Sequence, residues 1–220
     1  MGGVSKLMQA IRKNDKFKSE ESFKWYRDFF KRIFDILFSL IAFVILAIPM
    51  FIIAILIKID SPKEHVLFKQ VRVGRNDVPF TILKFRSMSN DAPHQMATEN
   101  FENPEKYITK IGKILRKTSL DELPQLFNVL KGDMSIIGPR PLIPSETDVL
   151  AMRDEYGASQ ILPGITGLAQ VHGRDEITDE NKAAYDGKYA LNVNIFLDLS
   201  IFLKTIFDVV HSRGIHEGKK

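Results

Sequence analysis

One uninterrupted apolar run, from Ile36 to Ile57, constrains the fold of this chain more than any other feature. Its 22 residues carry no charge, and only Ser39 and Pro49 lie outside the apolar set. A helix of this length rises about 33 Å, which is enough to cross the hydrocarbon layer of a membrane. Buried helices of soluble proteins rarely run so far without a charge, so the run predicts a membrane helix.

Two features of the run bear on how the helix sits in the membrane. Pro49 removes a backbone N–H and clashes with the preceding turn, which predicts a kink. Positive charge, which favours the cytoplasmic side, flanks both ends of the run. The flanking cations are Lys31 and Arg32 before it and Lys58, Lys63, Lys69 and Arg72 after it. A helix that bends at Pro49 and returns to the same face fits both observations. Prolines are tolerated in spanning helices, however, so the residues alone leave a kinked single pass equally open.

The N-terminal arm, residues 1–30, interleaves aromatic side chains with lysines and arginines between Lys16 and Lys31. Aromatic rings and cations in this arrangement suit the headgroup depth of a membrane. The same pattern is typical of an amphipathic helix that docks on the protein's own core. The arm is polar and basic, so we expect no signal peptide.

Composition narrows the remaining classes of function. The 220 residues suffice for one domain, and a charged fraction of 26% argues against wholesale disorder. A net charge of +4 suits an anionic lipid surface or a phosphorylated substrate. The chain has no cysteine, which excludes disulfides, thiolate chemistry and zinc fingers. No basic heptad helix or groove-reading motif is present, so we expect no nucleic-acid partner.

The residues after the membrane helix predict an α+β fold that is mainly helical with one small β-hairpin. The predicted strands are His65–Val73 and Phe80–Phe85, and the predicted helices are Ile108–Leu115, Leu120–Leu130, Glu146–Tyr156 and Thr178–Leu191. Loops are expected over 90–104 and 132–144, with a turn at 163–167. Charges interrupt the last apolar segment, Ile195–Val210, so we expect it to pack on the core of the protein or to lie in the membrane–water interface. We divide the chain into the arm 1–30, the membrane helix 31–60, a catalytic domain 61–211 and a tail 212–220.

A pair of adjacent carboxylates, Asp121 and Glu122, is the first candidate for chemistry. Ser119-Leu120-Asp121-Glu122 matches a capping box, with Ser119 at the N-cap of a helix and Glu122 reaching back. Taken alone, the pair is explained by helix capping. A helix N-terminus also favours phosphate, and an ionised Asp near a divalent cation can attack a phosphoryl group to form an acyl phosphate.

Phosphoryl chemistry also needs cations that neutralise the phosphates. Arg140 is the strongest candidate, because Pro139 and Pro141 restrict the backbone on either side of it. Further candidates for phosphate or nucleotide binding are Lys84, Arg86, Arg116 and Arg174. The alternative for each of these is an ordinary solvated surface charge.

At these residues the chain resembles the monotopic phosphoglycosyl transferases, a group within the bacterial sugar transferase family. The resemblance covers roughly residues 30 to 210 and follows the family order. It is carried by Lys31 to Asp35 with the apolar run, Phe68 to Gly74, Lys84 to Met88, Ser119 to Pro141, Pro163 to Val171, and Gly173-Arg174.

The resemblance implies a minimal enzyme that moves a phospho-sugar from a UDP-sugar to polyprenol (undecaprenyl) phosphate and releases UMP. This is the first membrane step of polysaccharide or glycoconjugate synthesis. The resemblance implies that Asp121 is the nucleophile that forms a covalent intermediate, that Glu122 acts as a base or supports the metal, and that Arg140 binds the phosphate. Mg²⁺ is expected at Asp121 and Glu122. It also implies a re-entrant helix bent at Pro49, with the catalytic domain and its interfacial helices on the cytoplasmic face of the bacterial inner membrane.

Two departures from the family pattern and several open points remain. Ile48 precedes Pro49, where some members carry a Ser that satisfies freed backbone groups, and Leu168 stands where many carry Trp. We expect the second change to affect packing only. Asp186 and Tyr189 are weaker candidates for the surroundings of the nucleotide. The sugar and the homo-oligomeric state are not readable from the sequence.

Two other functions are compatible with the residues themselves. A membrane-anchored, metal-dependent phosphohydrolase would use Asp121 with water as the acceptor. A non-catalytic membrane scaffold would use Asp121 and Glu122 only to cap a helix, and Asp121→Asn would then change stability by about 1 kcal/mol and leave function intact.

Overall fold

A computed structural model describes residues 25–93, 103–173 and 177–211 of the chain. A turn of π-helix, Tyr26–Phe30, leads into the first helix. The helices are α1 (Lys31–Asp60), α2 (Lys110–Lys117), α3 (Gln125–Lys131), α4 (Thr147–Glu155), α5 (Asp179–Leu191) and α6 (Ile195–Val210). The strands are β1 (Leu67–Val73), β2 (Pro79–Phe85), β3 (Ser135–Ile137) and β4 (Gly164–Thr166). The mainly helical α+β class is thus confirmed, while most of the N-terminal arm, the tail and much of the 90–104 loop lie outside the described residues.

The apolar run forms α1, which stays helical through Pro49. Within the described ranges, α1 together with the π-helical turn before it makes the single helix whose length and composition would allow it to cross a membrane. Its middle is exposed, with Val44 at 68% and Ile48 at 73% of their full accessibility. Such an apolar surface, open over several turns, is typical of a lipid-facing segment.

The N-terminal end of α1 is tied to three other elements by charged side chains. The Lys31 ammonium lies 2.7 Å from the Asp198 carboxylate of α6. The Arg32 guanidinium donates to the Val129 carbonyl in the last turn of α3 at 2.7 Å. The Asp35 carboxylate accepts a hydrogen bond from a backbone N–H of β3 at 3.0 Å. These bonds provide partners for buried charges and for a carbonyl in the last turn of α3 that has none within its own helix. They also fix the position of α1 relative to the rest of the protein.

The C-terminal end of α1 packs on the same body through apolar contacts. Ile53 and Ile57 are buried in one cluster with Phe85 of β2 and Leu115 of α2. Both ends of α1 therefore contact the body formed by the later elements.

The predicted hairpin is confirmed. Strands β1 and β2 pair antiparallel from Leu67 opposite Phe85 to Val73 opposite Pro79. Ile82 and Phe85 of β2 are buried against the helices, at 2% and 4% exposure. The hairpin therefore attaches to the core through β2, the strand that also carries Lys84.

A second sheet was not predicted. Strands β3 and β4 pair in parallel, with Ser135 opposite Gly164, so the loop expected over 132–144 and the turn expected at 163–167 are wrong at these residues. Strands of three residues show no alternating pattern, and their pairing is distant in sequence. The glycines make the approach feasible, because a Cβ on Gly164 would lie 2.1 Å from the Gly138 backbone nitrogen.

The remaining core lies between α5, α6 and the second sheet. Its buried members are Ile137, Leu168, Val171, Tyr189, Val193 and Ile201. Leu168 thus serves packing, as expected. Helix α6 packs through Ile201 and Asp198, while Phe196 is 81% exposed on its outer side. The prediction that Ile195–Val210 packs on the core is confirmed for that inner side.

Candidate active site

The turn that carries the two carboxylates differs from the predicted capping box. Ser119 has a left-handed backbone, with φ 55°, and its side chain makes no cap bond. Residues Leu120–Glu122 form a single 3-10 turn, and the α-helix begins only at Gln125, after Pro124. The predicted continuous helix over 120–130 is therefore wrong at its start. The reason is physical, since Pro124 suits the first turn of a helix and lacks the N–H that an earlier helix would need.

Apolar residues on either side of the carboxylates anchor this turn. Leu120 and Leu123 pack against the cluster that contains Ile53 and Ile57 of α1. Asp121 and Glu122 are largely buried, at 7% and 9% exposure. The turn therefore places both carboxylates next to the C-terminal end of α1.

Glu122 binds two of the predicted cations. Its Oε1 atom lies 2.8 Å from the Lys84 ammonium and 3.3 Å from Nη1 of Arg140. The Lys84 side chain is 15% exposed and the Arg140 side chain 38%. Burial lowers the pKa of Lys84, and the neighbouring Glu122 carboxylate opposes that shift. Glu122 thus holds two positive groups together at the edge of the buried turn.

Asp121 has a different environment from its neighbour. In the parts of the chain that the structure describes, no hydrogen bond or ion pair engages its carboxylate, although Lys84, Arg116 and Arg140 are close enough to act on it electrostatically. Burial raises its pKa, the Lys84 charge lowers it, and the Glu122 charge raises it. A carboxylate with uncommitted lone pairs beside several cations is suited to attack phosphorus or to bind a cation.

The other predicted cations differ in their positions. The Arg86 guanidinium donates to the His65 carbonyl at 2.7 Å and lies 3.6 Å from Glu64, so no described contact brings it to the carboxylates. Nη1 of Arg116 lies 3.7 Å from the sulfur of Met88. Arg174 lies outside the described residues. Pro49 lies within α1.

Asp186 and Tyr189, the weaker candidates for the surroundings of the nucleotide, are both buried. Each is 1% exposed. Asp186 forms an ion pair with Arg153 of α4 at 2.5 Å, and the Tyr189 hydroxyl donates to Asp198 at 2.6 Å. Neither side chain is open to solvent in this structure, and the expectation that the two residues lie near the nucleotide stays a prediction.

The loop that carries Arg140 is attached to the second sheet. The Gly138 N–H donates to the Thr166 carbonyl and the Gly164 N–H to the Pro139 carbonyl, both at 2.8 Å. Sequence reasoning missed one residue beneath this loop: the Arg153 guanidinium donates to the Arg140 carbonyl at 2.8 Å. Nothing in the sequence marks Arg153, since an arginine on a short helix is usually exposed.

Asp121 and Glu122 offer carboxylate oxygens, the kind of ligand that Mg²⁺ prefers. Across the described segments, no group of three or more His, Cys, Asp or Glu side chains forms a ready-made metal site. Mg²⁺ often binds one or two carboxylates and takes its other ligands from water and substrate phosphates. Asp121 and Glu122 fit that mode of binding, and no hydrogen bond from another described residue engages the Asp121 oxygens.

Comparison with known proteins identifies the family. Residues 26–212 match the model of the bacterial sugar transferases. The chain is similar to an uncharacterized sugar transferase, EpsL, of Bacillus subtilis, at 42% identity over 193 residues that cover 85% of this chain and 90% of the relative. It is also 34% identical to the exopolysaccharide production protein ExoY of Rhizobium meliloti over 203 residues, covering 84% and 87% of the two chains.

A third relative has a name that states its substrates. The UDP-glucose:undecaprenyl-phosphate glucose-1-phosphate transferase of Klebsiella pneumoniae is 40% identical over 188 residues, which cover 81% of this chain and 39% of that longer protein. The chain belongs to the bacterial sugar transferase family. The expectation of an enzyme of the phosphoglycosyl transferase kind is thereby confirmed.

Proposed function

We propose that the enzyme moves a phospho-sugar from a UDP-sugar to polyprenol (undecaprenyl) phosphate through a covalent intermediate on Asp121, with release of UMP. One observation carries the assignment: Asp121 is a largely buried carboxylate, with no hydrogen bond among the described residues, beside cations that Glu122 holds in place. Relatives named as undecaprenyl-phosphate sugar phosphotransferases, from Klebsiella pneumoniae and Aeromonas hydrophila, support the substrate class.

In the first half-reaction, an Asp121 oxygen attacks the phosphorus that bears the sugar. The bond from that phosphorus to the bridging oxygen breaks, and UMP leaves with that oxygen. The reaction needs little beyond alignment and charge neutralisation. Arg140, which is partly exposed, is the residue to receive the diphosphate, and Lys84 adds a second positive charge 2.8 Å from Glu122. Bound at Asp121 and Glu122, Mg²⁺ would supply further neutralisation of the diphosphate.

In the second half-reaction, an oxygen of the polyprenol phosphate attacks the same phosphorus. The bond to Asp121 breaks, the carboxylate is restored, and the product is a polyprenol diphosphate sugar. Glu122 is the candidate to accept a proton that the acceptor phosphate still carries. Because the intermediate stores the phospho-sugar, donor and acceptor use the same carboxylate in turn.

The site's surroundings support access from the membrane surface. The turn that holds Asp121 packs, through Leu120 and Leu123, on the same cluster as Ile53 and Ile57 of α1. Contacts at both ends of α1 with one body support a re-entrant helix bent at Pro49, since the two ends of a spanning helix lie on opposite sides of the membrane. We place that body on the cytoplasmic face of the bacterial inner membrane, where UDP-sugars and the phosphate end of the lipid both reach it.

The test is the dependence of UMP release on the acceptor. The enzyme, in detergent or nanodiscs, is incubated with Mg²⁺ and a panel of UDP-sugars, with and without undecaprenyl phosphate. We expect multiple turnovers with at least one donor only when the lipid phosphate is present, and a single turnover without it. Sustained UMP release without lipid would favour the phosphohydrolase, and absence of release with every donor would favour the scaffold.

A further inference from the structure

The loop around Arg140 has few means of holding its own shape. Pro139 and Pro141 lack an N–H, so of these three residues only Arg140 can donate from its backbone. Two of the three carbonyls accept from arginine side chains of other elements. The Arg140 carbonyl accepts from Nη1 of Arg153 at 2.8 Å, and the Pro141 carbonyl accepts from Nη1 of Arg72 at 3.1 Å. The backbone on which the Arg140 side chain depends is thus positioned by side chains that sequence reasoning left out of the site.

Arg153 itself is held by a buried partner. Its Nη2 atom lies 2.5 Å from the Asp186 carboxylate, and the two side chains are 8% and 1% exposed. Buried ion pairs contribute little net stability, because desolvation offsets their attraction, and apolar replacements are often as stable. Stability alone therefore gives a weak reason for this pair. The geometry supplies a stronger reason for the pair. The planar guanidinium binds the Asp186 carboxylate through Nη2 and the Arg140 carbonyl through Nη1.

The Arg140 side chain needs such support. It is 38% exposed and lies 3.3 Å from Glu122, a longer distance than the 2.8 Å between Lys84 and Glu122. A half-exposed arginine has many rotamers, so its reach depends on where its backbone is fixed. Displacements of about 1 Å in a positioning group can change a rate by up to about a hundredfold.

We propose that Arg153, oriented by Asp186, is a positioning residue that fixes the Arg140 backbone so that the Arg140 guanidinium meets the donor's diphosphate. The inference rests on the proposed role of Arg140 in phosphate binding. It assigns a function in the transfer reaction to two residues that lie beneath the site and touch no substrate.

The test is a double-mutant cycle between Arg153 and Arg140. Arg153→Lys keeps the charge opposite Asp186, but lysine has one nitrogen and cannot serve both partners. We expect Arg153→Lys to lower kcat/KM for the UDP-sugar about tenfold, with a thermal midpoint close to that of the wild type. In an Arg140→Ala background the same change should cause no further loss, because the residue being positioned is already absent.

Two additions keep the test decisive. The double variant Arg153→Met with Asp186→Asn removes both charges together, so no unpaired buried charge is left to unfold the protein, and it should couple to Arg140 in the same way. The same cycle is also measured through the dissociation constant of UDP, which requires no turnover.

Asp198→Asn is the matched control. It removes another buried carboxylate, at 7% exposure and outside the Arg140 loop, and its effect should be the same with and without Arg140→Ala.

Three outcomes would overturn the proposal: an Arg153→Lys enzyme within twofold of the wild type, an equal loss with and without Arg140, or an Arg140→Ala enzyme that binds UDP and turns over normally. Measurements of steady-state transfer and of UDP binding can be interpreted whether or not the reaction passes through a covalent intermediate. Absence of an adduct on Asp121 would therefore refute the proposed chemistry without deciding whether Arg153 and Arg140 are coupled.

Discussion

At the scale of single residues, the conformation of Ser119 sets the geometry of the site. Its φ of 55° lies in the left-handed region, which is unfavourable for a residue with a Cβ. The carbonyl of Ser119 accepts the Glu122 N–H at 3.2 Å, which closes the turn that holds Asp121. The Ser119 hydroxyl is buried and has no hydrogen-bond partner within the described parts of the chain. Backbone strain of this kind persists where the surroundings enforce it, often at functional sites.

This strain makes a prediction about substitutions at Ser119. Ser119→Gly should retain stability and transfer activity, because glycine adopts a positive φ without a steric cost. Ser119→Val should lower the free energy of unfolding by about 1–2 kcal/mol, since a β-branched side chain is disfavoured there. Thermal and denaturant unfolding of the purified protein measure both effects.

The control for Ser119 is Ser145, which is exposed and has an ordinary negative φ. There the order should differ, with Ser145→Gly slightly destabilising and Ser145→Val nearly neutral. If Ser119→Val were as stable as Ser119→Gly, the left-handed turn would not be the conformation of the protein in solution.

The residues of the site were more predictable than their backbone. The sequence indicated Asp121, Glu122, Lys84 and Arg140, and the structure brings these four together. The sequence did not predict the left-handed backbone of Ser119, because a capping box and this turn contain the same residue types. It did not predict Arg153, because the hydrogen bond to the Arg140 carbonyl joins segments whose proximity depends on the whole fold.

At the scale of elements, α1 is the best-predicted part of the chain. An uncharged apolar run of this length predicts one long helix without any tertiary information. The parallel pair of β3 and β4 lies at the other extreme. Each strand has three residues, and their pairing depends on contacts between distant segments, so local patterns carry no signal for it.

The arrangement of α1 predicts where its flanking residues lie. Asp28→Cys before the apolar run and Lys63→Cys after it each introduce a single thiol, because the natural chain has no cysteine. In a re-entrant arrangement, a membrane-impermeant maleimide should label both variants in inverted inner-membrane vesicles and neither in intact spheroplasts. Labelling of the two thiols from opposite faces would establish a single pass and rule out the bend at Pro49 as a return point.

At the scale of the whole molecule, the fold joins the long apolar helix α1 to a charged site through one apolar cluster. Leu120 and Leu123, which pack against the C-terminal end of α1, directly flank the two carboxylates in the sequence. Under the proposed function, this arrangement would let a soluble, charged UDP-sugar and a lipid-bound phosphate reach the same carboxylate at the membrane surface. The family membership fixes the class of reaction, and the geometry of Asp121 carries the proposal for its chemistry.

The most direct measurement is the intact mass of the enzyme after incubation with a UDP-sugar and Mg²⁺ in the absence of lipid. The account predicts a mass increase equal to one sugar phosphate on the wild type and on Asp133→Asn, an acidic residue that pairs with Lys131 at 3.0 Å. It predicts no increase on Asp121→Asn. An unchanged adduct on Asp121→Asn, or UMP release that requires donor and acceptor together with no trapped half-reaction, would contradict it.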